Sequence, residues 1–578
     1  MVRSIDSALD ELDELRRRFG EGDTKIRRVL TGISKAKFDD PDELIRFHET
    51  LLFLRAYPPS ARVLKQVEQT LKTFGGRVAQ LRDAGADVSA LDDPEVSGII
   101  STSVTSNFSY AIVRWLVAKY PNQVSIDWDW FEEEDRFGAT MPRFIPLLEE
   151  DATVEAHVPY RDWLRAAKGG QHELVWLISR FESLDASDKA KAELYDSLKL
   201  HITWRFGART SRTGMTRPAR KIFFHDKPLI QRREVSLIEE INSLPIILKQ
   251  LSRAEGKRIL ELARETSAVR YRELHGFTYG DASRVLKAEL GRGTEAFVMG
   301  VPPTNRLPLR AYHAALILKN GVPVAYFEGL SVFERMESGF NLYYTFRDGE
   351  TAWLYARILH LMRQLLGVTV FSIDPYQVGH ENEEGIESGA FWFYRKLGFR
   401  PVRSDLTKLT LSEEQKIAAN RNYRTSLRTL RRLAVGHMLV ELGAESAAGT
   451  LKKSRRGGVA DQKLGWDSFE VRNLGLAVQK RMAGECAGDA ERIRVESTNL
   501  VRQALNVDVD RLSENEQHAF ESLALVLSLI RGIGQWSQKE KELAAQIIRA
   551  KAGANEARYL KLMQKHAKLR ESLIRLGS

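Results

Sequence analysis

Residues 314–330 read AALILKNGVPVAYFEGL, with two apolar runs on either side of the pair Asn320-Gly321. Asn-Gly between two such runs is the strongest short-range signal for a two-residue β-hairpin. The stretch therefore predicts two antiparallel strands in the middle of the chain, Ala314–Lys319 and Val322–Leu330.

The sequence around this hairpin continues with strands and then alternates with helices. One strand is predicted before the hairpin at Ala296–Val301, and one after it at Phe340–Phe346. After Gly349 the apolar residues recur at three or four positions, which predicts a helix that Gly367 ends. The further elements are a strand at Val368–Ile373, a helix at Ser388–Leu397 and a short strand at Phe399–Arg403. Together these segments predict a mixed α/β unit.

The end of the last predicted helix carries a family resemblance. The order of the predicted strands and helices is similar to that of the C-terminal two thirds of the GNAT (N-acetyltransferase) superfamily. The similarity covers about residues 290–404. Members commonly end this helix with an alanine, an aromatic residue or leucine followed by tyrosine, and a Gly-Phe step. The residues in those places are Ala390, Phe393, Tyr394, Gly398 and Phe399. The resemblance implies an acyltransferase that uses acetyl-CoA or another acyl-CoA as co-substrate.

The resemblance also implies where the cofactor binds. In this fold two parallel strands splay apart and the pantetheine arm enters the gap, so we expect Phe340–Phe346 to border it. The family then places a glycine-rich turn at the N-terminus of the next helix, where free N–H groups and the helix dipole hold the pyrophosphate. Arg347 and Ala352 fit the family spacing, although Gly349 falls one position early. The predicted cofactor-binding residues are Phe346, Arg347, Asp348, Gly349, Glu350, Thr351 and Ala352.

Tyr394 is the predicted general acid, because the resemblance places it beside the cofactor sulfur, where a phenol can protonate the departing thiolate. The competing interpretation is an aromatic residue packed in the core, since Phe391, Trp392 and Phe393 precede it.

A general base should be a carboxylate or histidine that can take a proton from an amine. The two leading candidates are Glu328 on a predicted strand and Glu381 in the polar loop Tyr376–Glu387, which could cover the cleft. Other candidates in that loop are His380, Glu383, Glu384 and Glu387. The last of these stands where the family often has an asparagine. The sequence shows no metal site.

The residues before the α/β unit predict two further regions. Residues 1–200 read as mostly helical, and Asp40-Pro41-Asp42-Glu43 has the form of a capping box with proline at the first helical position. Residues 201–289 open with an arginine-rich stretch between Trp204 and Arg233. That stretch is either a phosphate- or nucleic-acid-binding loop or a connector whose arginines pair with acidic segments.

The residues after the α/β unit, 405–578, predict a basic helical region. Residues 406–578 contain 30 Lys plus Arg against 20 Asp plus Glu, so they hold all of the net charge of +10. Such a surface can bind nucleic acid or an acidic protein, and basic helices are also often simply solvated. Two capping boxes, Ser513–Glu516 and Ser537–Glu540, predict helix starts, and Leu451–Gly458 predicts a linker.

Composition limits the class of protein. A chain of 578 residues is long enough for several domains, and its longest apolar run, Leu523–Ile530, is much shorter than the roughly 20 residues needed to cross a bilayer. The single cysteine, Cys486, allows no internal disulfide, and the acidic start lacks a signal peptide's apolar segment. We therefore expect a cytoplasmic protein without membrane contact.

These observations lead to one leading hypothesis and one alternative. The leading hypothesis is an acyl-CoA-dependent N-acyltransferase that transfers an acyl group, in the first instance acetyl, to an amine acceptor. The alternative is a non-catalytic GNAT-fold scaffold whose basic C-terminal region binds nucleic acid or a protein. The predicted fold is a central α/β domain, a mixed sheet flanked by helices, between mostly α N-terminal and C-terminal regions.

Overall fold

The computed structural model describes residues 4–16, 23–146, 159–442 and 465–578, and it has the predicted mixed α/β class. A large mixed sheet lies at the centre, with helices packed around it. The strands are β1 (Ser103–Ser106), β2 (Val124–Ile126), β3 (Ile202–Arg205), β4 (Ile247–Gln250), β5 (Leu286–Gly291), β6 (Thr294–Met299), β7 (Ala311–Lys319), β8 (Val322–Val332), β9 (Arg335–Leu342), β10 (Val370–Ile373), β11 (Arg400–Pro401) and β12 (Met438–Glu441).

Helices make up most of the remaining described chain. They are α1 (Ile5–Leu15), α2 (Asp23–Lys35), α3 (Pro41–Ala56), α4 (Ala61–Lys72), α5 (Phe74–Asp83), α6 (Tyr110–Lys119), α7 (Glu134–Thr140), α8 (Tyr160–Lys168), α9 (Glu173–Glu182), α10 (Asp188–Ser197), α11 (Leu237–Ile241), α12 (Arg253–Ala268), α13 (His275–Thr278), α14 (Thr351–Leu366), α15 (Pro375–Val378), α16 (Glu383–Glu387), α17 (Ala390–Lys396), α18 (Ser404–Ala419), α19 (Leu427–Leu433), α20 (Val471–Glu485), α21 (Ala490–Leu505), α22 (Glu514–Leu527), α23 (Gln538–Lys551), α24 (Glu556–Met563) and α25 (Ala567–Gly577). In the part of the chain that is described, no helix is both long and apolar enough to cross a bilayer.

The central sheet has the strand order β11-β12-β10-β9-β8-β7-β6-β5-β4. Within the described residues, β9 and β10 form its one parallel pair, and each other neighbouring pair is antiparallel. Parallel neighbours need a crossover connection, and α14 supplies it between β9 and β10. This parallel pair positions the candidate site.

The predicted hairpin is confirmed. Lys319 pairs with Val322, and the two residues between them, Asn320 and Gly321, have φ values of 48° and 82°. Positive φ at both central positions is the geometry that a type I′ turn requires. A Cβ atom at Gly321 would lie 1.9 Å from the carbonyl oxygen of Arg217, so only glycine fits there.

The strand predicted at Phe340–Phe346 is shifted. The strand itself, β9, begins five residues earlier at Arg335, and Tyr344–Phe346 form a turn of 3₁₀-helix. The sequence stays apolar past the end of β9 because Phe346 is buried in the core. A prediction from hydrophobicity alone therefore placed the end of the strand too late. The following helix begins at Thr351 and ends at Gly367, whose φ of 72° confirms the predicted glycine stop.

The N-terminal region contains mostly helices, together with a small sheet of order β1-β3-β2 that we did not predict. Strands this short, three or four residues, give too few alternating positions to be recognised. Asp40 caps α3 by accepting a hydrogen bond from the Asp42 N–H, and Pro41 occupies the first turn. The return hydrogen bond from the Asp40 N–H to the Glu43 side chain, which would complete the predicted capping box, is not among the contacts of this helix start.

Two residues of the arginine-rich stretch pair with acidic side chains, which is the kind of contact that the connector interpretation requires. Arg212 is buried and contacts Glu49 of α3 at 2.5 Å, and Arg217 contacts Glu295 of β6 at 3.0 Å. Both contacts fasten this stretch to elements that are distant in sequence.

The C-terminal helices pack against the central sheet. Both predicted capping boxes are present at the starts of α22 and α23. Glu556 of α24 accepts a hydrogen bond from the backbone of Tyr312 in β7, and Lys551 pairs with it at 2.5 Å. One continuous cluster of buried side chains reaches from Leu9 to Ile574. The predicted linker Leu451–Gly458 lies outside the described residues.

Candidate active site

A gap opens where the only described parallel pair of strands separates. The ladder between β9 and β10 covers Arg335–Glu337 and Val370–Ser372, and β9 then continues alone on that edge to Leu342. The chain turns away after Ile373 because Asp374 caps α15 and Pro375 fits its first turn. The far half of β9 therefore borders open space.

The backbone of β9 presents hydrogen-bonding groups to this gap. Tyr343 donates to the carbonyl of Val324 on β8 at 3.0 Å, so the odd-numbered residues of β9 direct their backbone groups to β8. In an antiparallel ladder the alternate residues point the other way. The N–H and C=O groups of Phe340 and Leu342 consequently face the gap, where an extended polar ligand could pair with them.

The gap widens into a cleft of about 240 Å³. Its walls come from β9, the N-terminal turn of α14, the segment after β10, and α17. The residues around it are Phe340, Asn341, Leu342, Arg347, Thr351, Gln377, Asn382, Glu384, Gly385, Ser388, Ala390, Phe393 and Tyr394.

Tyr394 lies in the wall of the cleft and is also packed in the core. It is 3 % exposed, and its ring makes edge contacts with Tyr355 and Phe399. Its hydroxyl has no hydrogen-bond partner within the described residues. Burial raises the pKa of Tyr394 above its ordinary value, so the phenol is protonated at neutral pH. A protonated phenol on a cleft wall can donate a proton there.

The two predicted bases do not line this cleft. Glu328 is half-buried and accepts a hydrogen bond from the hydroxyl of Tyr312, and burial raises its pKa. Glu381 is fully at the surface in a left-handed turn with φ of 53°. Of the other predicted acids, Glu384 reaches the cleft wall, while Glu387 is exposed outside it.

The predicted cofactor turn is only partly open to the cleft. Arg347 and Thr351 line it, whereas Phe346 and Ala352 are buried in the core. Asp348 pairs with Arg16 at 3.2 Å. A further two members of the turn, Gly349 and Glu350, contact buried groups beneath it.

Gly349 and Glu350 hold the turn onto the rest of the protein. A Cβ atom at Gly349 would lie 2.5 Å from the hydroxyl of the buried Tyr57, so the turn rests directly on that ring. Glu350 is 1 % exposed and pairs with Lys319 at 3.2 Å and with Arg292 at 2.5 Å. Burial alone would raise the pKa of Glu350, but the two cations outweigh it and leave the pKa lowered. Burial also lowers the pKa of Lys319 to about 8.

The first turn of α14 keeps N–H groups available. Leu354 makes the first intrahelical bond, to the carbonyl of Glu350, and the side chain of Glu350 does not cap the helix. The three preceding N–H groups therefore have no partner within the helix, and they lie at the positive end of the helix dipole. Beside them Arg347 pairs with Glu384.

Sequence reasoning missed several residues of the cleft. Gln377 and Asn382 belong to a segment predicted as a loop, which instead contains α15 and α16 and forms one wall. Ser388, predicted as the start of the next helix, lies just before α17 and also lines the cleft. The cap-and-proline pair Asp374-Pro375 was a signal for α15 that could have been used. Glu337, which stands where the gap begins but outside the cleft, was missed because the strand was placed too late.

Comparison with known proteins does not identify the chain. No protein-family model matches it, and neither a curated protein nor a solved structure matches it significantly. Within the residues that the structure describes there is also no cluster of three or more side chains that could bind a metal ion. The function must therefore be argued from the cleft itself.

Proposed function

We propose that the protein is an acyl-CoA-dependent N-acyltransferase, with acetyl-CoA as the first candidate donor. The observation that carries this proposal is the separation of β9 and β10 into a cleft that has Tyr394 in its wall and the N-terminus of α14 at its rim. This combination agrees with the resemblance of residues 290–404 to the GNAT superfamily. The pantetheine arm would pair with the free edge of β9 at Phe340 and Leu342.

The phosphates of the donor would bind at the first turn of α14. Free N–H groups and the helix dipole favour anions there, and Arg347 adds a guanidinium. The pairing of Arg347 with Glu384 must open for a phosphate to reach that guanidinium.

The reaction needs two proton transfers. The amine nitrogen attacks the carbonyl carbon of the thioester, a C–N bond forms, and the C–S bond breaks. The nitrogen gives up a proton to a carboxylate, and the departing thiolate receives a proton from the hydroxyl of Tyr394. Atoms and charges balance without a metal or redox partner.

Glu337 is the carboxylate that we propose as proton acceptor. It is the last residue of β9 that pairs with β10, so it stands where the gap begins, and its side chain is 29 % exposed. Glu328 remains the second candidate. Its side chain lies on the same face of the sheet, because it faces Gly339, two residues from Glu337, across the ladder.

The alternative function, a non-catalytic binding protein, draws support from the same turn. Gly349 is packed on Tyr57, and the guanidinium of Arg347 is already paired with Glu384. Both contacts disfavour binding of a phosphate at this turn. Under this alternative the basic C-terminal region binds nucleic acid or an acidic protein.

The deciding experiment is a calorimetric titration of the intact protein with acetyl-CoA and with longer acyl-CoA esters. A bulky residue at Gly349 would clash with Tyr57, so the cleft is better blocked by Ser388→Trp, at an exposed position of its wall. The matched control is Glu387→Trp, which adds the same ring at the exposed neighbouring residue outside the cleft.

We expect the wild type and Glu387→Trp to bind and Ser388→Trp not to bind. Failure of the wild type to bind any ester at millimolar concentration would overturn the proposal. Binding without release of thiol in the presence of any amine would favour the non-catalytic alternative. Strongly salt-dependent binding of nucleic acid by the intact protein would then identify its partner class.

A further inference from the structure

A second cavity, of about 370 Å³, lies beside the point where β9 and β10 separate. Residues from β8, β9, the end of β10 and the C-terminal region surround it. They are Arg310, Leu330, Val332, Arg335, Glu337, Asp374, His437, Phe469, Glu470, Val471 and Arg472. None of these residues lines the cleft with Tyr394.

The two spaces adjoin along both strands. On β9, Glu337 lines the second cavity and Phe340 lines the cleft, and three residues of strand span only about 10 Å. An odd separation directs the two side chains to opposite faces of the sheet, so the two spaces lie on either side of the gap between β9 and β10. After β10, Asp374 lines the second cavity and Gln377, one turn later in α15, lines the cleft. A group held in the second cavity near Glu337 is therefore within reach of an acyl group at the bottom of the gap.

The second cavity has an acidic end and a basic end. Two of its three carboxylates, Glu337 and Asp374, stand at the separation point, next to the cleft. The third, Glu470, pairs with Arg472, which also lines the cavity. The guanidinium of Arg335 lies farther back, two residues before Glu337 on the same face of β9. Arg310 joins the two ends, since it contacts Glu337 at 3.5 Å.

Arg335 is buried and makes no direct ion pair within the described residues. It is 6 % exposed and donates to the hydroxyl of Ser372 at 3.2 Å and to the carbonyl of Phe469 at 2.9 Å. Within the described residues no carboxylate contacts it. Glu337, Glu470 and Asp467 act on its charge only through space, without a direct ion pair. Buried charges are normally paired, so a guanidinium that lines a cavity without a direct carboxylate partner favours an anion in that cavity.

From this polarity we infer that the second cavity is the acceptor site and that the acceptor is a small amine that also carries a carboxylate or a phosphate. The amine end would lie between Glu337 and Asp374, facing the cleft. The anionic end would lie against Arg335 and Arg310. The volume suits a molecule of about the size of an amino acid or a sugar phosphate. This inference rests on the proposed acyltransferase function.

The test compares charged amines with neutral partners of the same shape, using acetyl-CoA and detection of released thiol. The carboxylate arm uses L-alanine and β-alanine against L-alaninamide, and the phosphate arm uses glucosamine 6-phosphate against glucosamine. We expect kcat/KM at least tenfold higher for the anionic members of one arm. The arm that shows the difference identifies the anion.

The variant Arg310→Gln checks the location. Arg310 has one weak ion pair in the described structure, so this change should not disturb folding. Because Arg310 also contacts the proposed base Glu337, the readout is a ratio. We expect kcat/KM for the preferred anionic amine, divided by that for its neutral partner, to fall at least tenfold. The matched control is Arg494→Gln, at an exposed arginine of α21, which should change neither value.

The outcomes separate failure of this inference from failure of the proposed function. The inference is wrong if acetyl-CoA binds and neutral amines are acylated at the same rate as charged ones. It is also wrong if acetyl-CoA binds and no amine of either arm is acylated. In both cases the proposed donor site stands. If acetyl-CoA does not bind at all, the proposed function falls first. Calorimetry of the amines alone then still decides whether the second cavity prefers an anionic amine, and equal binding by Arg310→Gln would reject it.

Discussion

Removal of one hydroxyl group at Tyr394 should reduce turnover and leave the fold intact. The ring of Tyr394 provides the packing, through its edge contacts with Tyr355 and Phe399, and phenylalanine keeps all of that surface. The hydroxyl itself has no protein partner in the described residues. We therefore expect Tyr394→Phe to change the free energy of unfolding by less than about 0.5 kcal/mol.

The catalytic loss follows from the proposed proton transfer. A positioned general acid contributes a factor of about 10² to 10⁴, and the lower end, about 100-fold in kcat, corresponds to about 2.7 kcal/mol of activation free energy. The dissociation constant of acetyl-CoA should not change, because the hydroxyl acts only on the departing sulfur. Burial raises the pKa of Tyr394, so the wild-type kcat should show no loss attributable to this group below about pH 10.

Tyr355→Phe is the matched control. Tyr355 is fully buried, and its hydroxyl is 2.8 Å from the hydroxyl of Ser338. Its loss leaves a buried polar group unpaired and should cost about 1 to 3 kcal/mol in the free energy of unfolding, with kcat nearly unchanged. Urea denaturation and single-turnover thiol release measure the two quantities. The reasoning is refuted if Tyr394→Phe retains full kcat, since Tyr394 is then only a core residue.

Three further predictions concern the turn before α14. Gly349→Ala should lower the free energy of unfolding by about 1 to 3 kcal/mol, because its Cβ meets the ring of Tyr57, and adding Tyr57→Phe should recover part of this loss in urea denaturation. Glu350→Gln should cost about 3 kcal/mol at pH 7, since it leaves the buried Lys319 and the half-buried Arg292 without their carboxylate. Folding lowers the pKa of Glu350, so its contribution to the free energy of unfolding is present above pH 4.5 and is lost as the pH falls below that value. The free energy of unfolding of Glu350→Gln, measured across that range, should therefore depend less on pH than that of the wild type. Glu384→Gln removes the exposed acid that pairs with Arg347, and calorimetry should show acetyl-CoA binding a few-fold more tightly, because an exposed pair contributes up to about 1 kcal/mol; weaker binding would place the phosphates elsewhere.

Local signals were enough for the elements whose chemistry lies within a few residues. Asn320-Gly321 fixed a type I′ turn because both positions need positive φ, and Gly367 ended a helix for a related reason. The capping boxes before α22 and α23 are likewise complete within four residues. By contrast, the end of β9 depends on how Phe346 packs under the turn, and no local pattern marks that burial.

The candidate site divides in the same way. The sequence by itself determined the mixed α/β class, the hairpin, and the placement of Tyr394 on the last helix of that unit, because each follows from local conformational preferences or from a short run of residues. Only the tertiary structure decided that Glu381 stays in solvent, that Glu337 stands where β9 and β10 separate, and that Arg335 and Glu337 share a cavity with residues 469–472. The physical reason is that the cleft joins elements up to about fifty residues apart and the second cavity joins elements more than a hundred residues apart. The side chains that meet there are set by strand register and packing, which no stretch of neighbouring residues encodes.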